Sequence, residues 1–414
     1  MESESLQIII IDFGLNFTKV GFGGESEPVK ILKTPSLINL EDFFKDKSEK
    51  KDILSFLNTS NNKRLEIEEF FTYIINEVLL VYMKLQKKTV NLYILFNLDL
   101  KENFRDILIG LLKYIFESFI FIASIKILPK NILPVFVSGF YSGIILNCGF
   151  SFSTITVVNN GLCMYKKKIG FSSCDMQKIL YNKIISEVES GKNGNKLDEK
   201  NIEILKKNLI KYIDDIMVRI TYILNRKVSQ EYKQMINAKE EQKEKEKIIK
   251  IFLYNDLPMF KIGEWTRVLI GETLFEENNE NNFAFNVLKI LDENVPCEIR
   301  RKIGSNIILS GGLTMLAGFY QRFCDEINFI VDNDSRFIKL KGIRKDLRVH
   351  KIIYPRNLLT WVGASLLIGK NKNCFPGNEI NREEKQDENE AEKKIAAKKI
   401  DIDELNGIFN NLKI

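Results

Sequence analysis

The sequence predicts an α/β protein of two lobes, each with a mixed sheet and flanking helices. Two observations carry this. The chain has 414 residues, more than one hydrophobic core usually serves. Three short apolar runs end on glycine: Ile8-Ile-Ile-Ile-Asp-Phe-Gly14, Ile144-Ile-Leu-Asn-Cys-Gly149 and Ile307-Ile-Leu-Ser-Gly-Gly312. Each reads as a buried strand entering a turn, and helix-period stretches lie between them.

Taken in order, residues 6–38 read as a hairpin followed by a third extended piece. Residues 39–62 are polar and Lys-rich, broken by Asn58 to Asn62, with no clear strand pattern. Residues 63–88 read as a helix with Phe70, Ile74, Val78 and Val81 on one face. Val90–Phe96 reads as a strand, 101–118 as a helix and 120–127 as a strand. Residues 143–169 form a second glycine hairpin. Asp175 to Val188 is helical, 191–195 a loop, and 199–225 one or two helices. Residues 238–250 are a charge run, the mark of a solvated segment. Buried structure returns near Gly263, and 283–303 is helical with an interruption at Pro296. Gly311-Gly312 ends the third strand, with a helix opening near Thr314 whose first amides point toward the turn. From Glu379 to Lys399 both charges are dense, the composition of a solvated tail. Beyond it Ile402, Leu405, Phe409 and Leu412 share a helical face, the pattern either of a docking helix or of a frayed tail with chance periodicity.

Composition narrows the function. Hydrophobic residues make up 45% and charged residues 28%, as in ordinary globular domains. The net charge of +6 comes with no basic block interleaved with aromatics, so nucleic acid is not indicated. Cysteines at 148, 163, 174, 297, 324 and 374 form no Cys-Xaa-Xaa-Cys pair; with no signal peptide in front, they read as reduced thiols of the cytosol or nucleus. His350 is the only histidine, which removes the usual base or ligand from Ser-His-Asp triads, Cys-His pairs and zinc sites. It reads as a strand or surface residue. The apolar stretch 107–128 carries Lys113, Glu117 and Lys126 and ends at Pro129, so it is not a membrane span.

The chemistry lies in the glycine turns. Hairpin tips expose consecutive backbone amides that suit phosphate oxygens. A Gly-Gly corner lets backbone lie close to a flat or anionic ligand. Asp12-Phe-Gly-Leu-Asn-Phe-Thr-Lys-Val-Gly-Phe-Gly-Gly-Glu25 resembles the first phosphate loop of actin-related proteins. Leu309 to Gly318 resembles their adenosine corner. Pro355 to Gly363, ending Trp361-Val-Gly363, resembles their closing strand and helix. The resemblance spans roughly residues 6–376 and implies the actin-like ATPase fold, its two lobes around a nucleotide cleft. The implied first lobe is 1–137, with 39–62 as a reduced outer subdomain. The second is 138–358, with 174–267 as an outer helical subdomain. Residues 359–377 return to the first lobe and 378–414 are the charged tail. The implied nucleotide-binding residues are Asp12, Gly14, Leu15, Asn16, Lys19, Gly149, Gly311, Gly312 and Met315. Their ligand is an adenine nucleotide, ATP or ADP, held as a structural group.

The hydrolytic equipment departs from the family pattern. Asp12 is kept and can hold a metal through water; Lys19 can reach a phosphate as a point charge. The family's second-hairpin aspartates are Asn147 and Phe150 here, which offer Mg2+ and its waters no charge. The Ser-Gly tip is Leu15-Asn16. By spacing from Gly149, the position of the water-orienting glutamine falls at about Lys130, and the region of the family's adenine-contacting lysine reads Asn357. Mg2+ is left without most of its ligands, no residue is assigned a catalytic role, and the chain is expected not to act as an enzyme.

Phe17 to Glu25, Asn147-Cys-Gly-Phe150 and the short outer stretch are most similar to the branch that ends the short actin-like filament of dynactin at its pointed end. That resemblance implies a cytoplasmic, cytoskeletal subunit that caps a filament of actin or actin-related subunits, meets other pointed-end subunits, links cargo adaptors and supports dynein-based transport. By alignment, Phe136, Tyr141, Leu162, Leu366 and Leu367 line its filament interface. A nuclear subunit of a chromatin remodeller and a divergent actin-fold ATPase are the alternatives.

Overall fold

The protein is described by a computed structural model covering residues 7–34, 68–85, 89–96, 112–238, 248–251, 256, 258–276, 282–370 and 379–381. Residues 39–62, most of the charge run and the 402–412 repeat lie outside these. The chain divides into two compact units. One is built from the described residues up to Gly139 and from Leu358 onward; the other is Phe140–Asn357.

The first unit is a six-stranded mixed sheet. β1 (Gln7–Asp12), β2 (Phe17–Phe22) and β3 (Lys30–Lys33) form an antiparallel meander. β4 (Val90–Phe96) joins β1 in parallel, and β5 (Ile122–Pro129) joins β4 in parallel. Ile9, Ile10 and Ile11 are all fully buried, the continuous apolar run of a strand covered on both faces. The start of the expected charged tail is instead ordered: Glu379–Asn381 pairs antiparallel with β5 and covers that edge of the sheet.

Helical residues begin at 68 and become a π-helix over Ile74–Tyr82. Met83 N–H donates to Val78 O, five residues back. The wider turn shifts the phase of the apolar face. Ile74 and Val78 are buried as expected, whereas Val81 is 58% exposed. A 3.6-residue period does not apply there.

Residues 355–358 form a turn and no strand, and the closing helix runs Leu359–Lys370. It lies against β1 and the short helix Pro134–Val137. Trp361 is fully buried with its Nε1–H donating to Ile10 O at 3.4 Å. Ser365 Oγ accepts from Gly24 N–H and donates to Glu25 O, at 2.9 and 2.6 Å. The glycine-rich end of β2 and the last helix are thus one packed assembly. At Gly363 a Cβ would overlap Leu133 O, so only glycine allows that approach.

The second unit is built on a four-stranded sheet. β6 (Gly143–Cys148), β7 (Ser153–Asn159) and β8 (Leu162–Ile169) form an antiparallel meander. A ribbon of β9 (Ile248–Ile251) and β10 (Phe260–Gly263) lies apart from it, while β11 (Ile307–Ser310) adds in parallel beside β6. Helices α1 (Ser173–Glu189), α2 (Glu199–Ile220), α3 (Arg226–Ala238) and α4 (Glu264–Glu272) follow the meander. Pro296 separates α5 (Phe283–Glu293) from α6 (Cys297–Gly304), and Asn282 caps α5 by accepting from Phe285 N–H.

The helix expected at Thr314 starts later. Gly312–Met315 is a single 3₁₀ turn, and α7 runs Phe319–Asn333. Thr314 turns its N–H and its Oγ1 back to Gly311 O, at 3.2 and 2.7 Å. A buried ion network then ties α7 to α3 and α4. Arg322 donates to Glu272 and Glu326, and Arg226 donates to Glu326, at 2.6–3.1 Å. His350 is partly buried; its backbone N–H donates to Ile307 O and its ring meets Phe140 edge-on.

Candidate functional site

In the first unit, strand register builds a charged group around Asp12. Asp12 ends β1 opposite Leu95 of β4, and the next β4 residue, Phe96, stands opposite Pro129 of β5. Lys130 N–H donates to Phe96 O at 2.9 Å, so Lys130 starts two strands from Asp12, about 10 Å away. Its long side chain crosses that gap. Lys130 Nζ lies 2.5 Å from Asp12 Oδ1 and donates to Phe13 O at 3.2 Å. Lys19, opposite Asp12 across the β1–β2 pairing, places Nζ 2.8 Å from Oδ2. The carboxylate is 1% exposed, while the Lys19 and Lys130 side chains keep 12% and 18% of their surface. Burial alone would raise the Asp12 pKa; the two ammoniums outweigh it and hold the group down at about 2. Burial also lowers the Lys130 pKa, with Asp12 opposing and Lys19 adding to that fall.

The loop after Asp12 is held by β3 and the residue beyond it. Thr34 N–H donates to Asn16 O and Thr34 Oγ1 to Gly14 O, at 3.0 and 2.8 Å. Lys33 Nζ donates to Asn16 Oδ1. These bonds use carbonyl oxygens. The N–H groups of Gly14 and Leu15 have no backbone acceptor among the described residues.

The second unit carries the other glycines. Ser310 of β11 stands opposite Asn147 of β6, which brings the Gly149 turn and the Gly311-Gly312 corner together. Gly311 has φ +94°, and a Cβ there would overlap Cys148 O and meet Asn147 Oδ1 at 2.9 Å. Gly312 faces open space. Met315 is 44% exposed, its Sδ accepting from Arg356 N–H at 3.2 Å. The first amides of α1 are already committed: Ser173 N–H donates to Gly149 O and Cys174 N–H to Phe150 O, at 3.1 and 2.9 Å.

A hydrated divalent cation does not fit this set. Both oxygens of Asp12 face ammoniums, which leaves the water of a hydrated cation no uncommitted carboxylate there. Among the described residues no three His, Cys, Asp or Glu side chains gather as metal ligands. The spacing argument found Lys130 as a departure; only the register shows that it reaches Asp12.

The residues expected at a filament interface separate into three kinds. Tyr141 and Leu162 are 58% and 64% exposed, and Gly161 N–H donates to Tyr141 O at 2.7 Å. Phe140 and Met164, missed from sequence, are also exposed. Leu366 and Leu367 are half-buried. Phe136 is a correction: it is core, in the short helix Pro134–Val137 that the closing helix covers. Among the described residues no helix is long and apolar enough to cross a membrane.

The strand order, the glycine corner and the closing tryptophan helix define an actin-like α/β protein. Residues 3–399 match the family model described as Actin, and the chain belongs to the actin family. It is similar to "Actin-related protein 10" of Dictyostelium discoideum, 23% identical over 412 residues, 88% of this chain and 83% of that one. It is also similar to "Putative actin-29" of the same organism, 32% identical over 122 residues, 29% of each chain.

Proposed function

We propose that this chain is a structural actin-related subunit that caps the pointed end of the short filament of dynactin. It acts in the cytoplasm, on the cytoskeleton, meeting actin or actin-related filament subunits on one face and pointed-end subunits on the other. It links the filament to cargo adaptors and supports dynein-based transport. The observation that carries the reading is the exposure of Phe140, Tyr141 and Leu162, with Tyr141 O accepting from the Gly161 N–H next to Leu162. Solvent-facing aromatic and aliphatic side chains of this kind anchor interfaces when a partner buries them. Filament contacts are heterologous, so an end subunit needs only one such face. The similarity to Actin-related protein 10 and the resemblance of the Asn147-Cys-Gly-Phe150 hairpin to the dynactin branch support the particular filament.

The chain is not an ATPase in this reading. An adenine nucleotide serves as a structural ligand, with Gly149, Gly311 and Gly312 as its backbone cradle. The Asp12 carboxylate already faces two ammoniums, and Asn147 and Phe150 are uncharged where the family pattern has aspartates, so the groups that phosphoryl transfer to water needs are missing.

The test replaces Tyr141 and Leu162 with aspartate, checks folding by thermal melting and measures incorporation into the tagged filament end. Loss of incorporation in a folded protein is the expected result. Unchanged incorporation would reject the surface, and long filaments of the wild-type chain alone would reject capping. Purified protein should turn ATP over well below about 1 per second, the low end for enzymes.

A further inference from the structure

We propose that the site at Asp12 takes the phosphates of its nucleotide without a divalent cation, Lys130 supplying the positive charge that a metal would. This rests on the reading that the chain binds a nucleotide.

The donor set is the first reason. A metal bound through water needs carboxylate oxygens free to accept from that water. Asp12 has two, and an ammonium lies against each, at 2.5 and 2.8 Å. An incoming cation would meet Lys19 and Lys130 before any uncommitted anion.

The second reason is the charge that remains. Two ammoniums and one carboxylate leave a net positive site, only partly open to solvent. Each ammonium carries three donors. Lys130 donates to Phe13 O and sets its ammonium against Asp12 Oδ1 as an ion pair, and Lys19 donates to Asp12 Oδ2; both side chains keep exposed surface through which a phosphate oxygen can reach the remaining donors. Beside them, the Gly14 and Leu15 N–H groups have no backbone acceptor among the described residues. Consecutive amides next to fixed cations form an anion site. Lys130 is positioned for this by the β5–β4–β1 register and by its bond to Phe13 O, so it does not depend on the ligand for its place.

The experiment uses the full chain and ATP, with binding followed by calorimetry in excess EDTA and in millimolar Mg2+. The Kd values in the two buffers are expected to agree within about threefold, less than the tenfold that 1.4 kcal/mol represents. A Kd weaker by about tenfold or more in EDTA would overturn the proposal while leaving nucleotide binding intact. No binding in either buffer would reject nucleotide binding itself. Lys130→Gln, checked by thermal melting, should weaken binding in EDTA about tenfold and make it Mg2+-dependent, because Asp12 regains a free oxygen. Equal EDTA binding in folded Lys130→Gln and wild type would also overturn it. If that variant does not fold, the wild-type comparison decides alone.

Discussion

Asp12 divides one carboxylate between two lysines, and the cost of disturbing it depends on which partner is lost. Asp12→Asn leaves two ammoniums facing each other in a largely buried place and should destabilise by about 3–5 kcal/mol. Adding Lys130→Met removes one of the opposed charges and should recover more than half. Urea melts of the wild type, both single variants and the double variant measure this; no recovery would mean the three groups are not coupled. The same site shapes acid stability. Its folded pKa of about 2 lies below the ordinary 3.8, so its stabilisation is complete above about pH 4 and is lost as pH falls toward 2. That part of the acid slope, about 2 kcal/mol by linkage, should be missing in Asp12→Asn. At this scale the sequence showed which family residues are replaced. It did not show where the replacement points, because Lys130 meets Asp12 through the pairing of three strands.

At the scale of the element, strands were the most legible. Apolar runs ending in glycine became β1, β6 and β11 as read, and Pro296 split two helices where its missing N–H requires. Helix phase and onset were less legible. Nothing local marks the π-helix that turns Val81 outward, and the 3₁₀ turn after Gly311 looked like the first turn of a longer helix. Val78→Asp should therefore cost about 3 kcal/mol or more by burying a lone charge. Val81→Asp should stay within about 0.5 kcal/mol. A regular α-helical phase would make the two alike. The glycine corner offers a second contrast. Gly311→Ala meets both a positive φ and the Cys148 carbonyl and should cost at least about 2 kcal/mol. Gly312→Ala has open space and should change stability by less than about 0.5 kcal/mol; any loss of ATP affinity there would then report the ligand and not the fold. The Arg322–Glu272–Glu326–Arg226 network gave no sequence signal, since its bridges outside α7 join residues 50 and 100 positions apart.

For the whole molecule, the family was legible because its signatures are places where backbone must approach backbone. Gly363 under Leu133 O and Gly311 against Cys148 O are such places. Partners were not legible in the same way, since exposed apolar side chains name a kind of surface and not its occupant. The burial of Trp361 beneath Ile10 O also sets an order of events during synthesis. The first unit is begun at the N-terminus and completed only by residues from Leu358 onward, while the described residues of the second all lie in one continuous stretch, Phe140–Asn357. A ribosome adding roughly 5–20 residues per second takes on the order of ten to forty seconds to make Phe140–Asn357. Throughout that interval β1, β4 and β5 exist without the helix that covers them. Nascent chains arrested once Asn357 has emerged should protect the second unit from protease and leave 7–139 open to it. Protection of 7–139 should arrive only with the release of Leu359–Lys370, which makes the last helix a timer on the first strands and gives a chaperone that shields bare sheet a defined window in which to act.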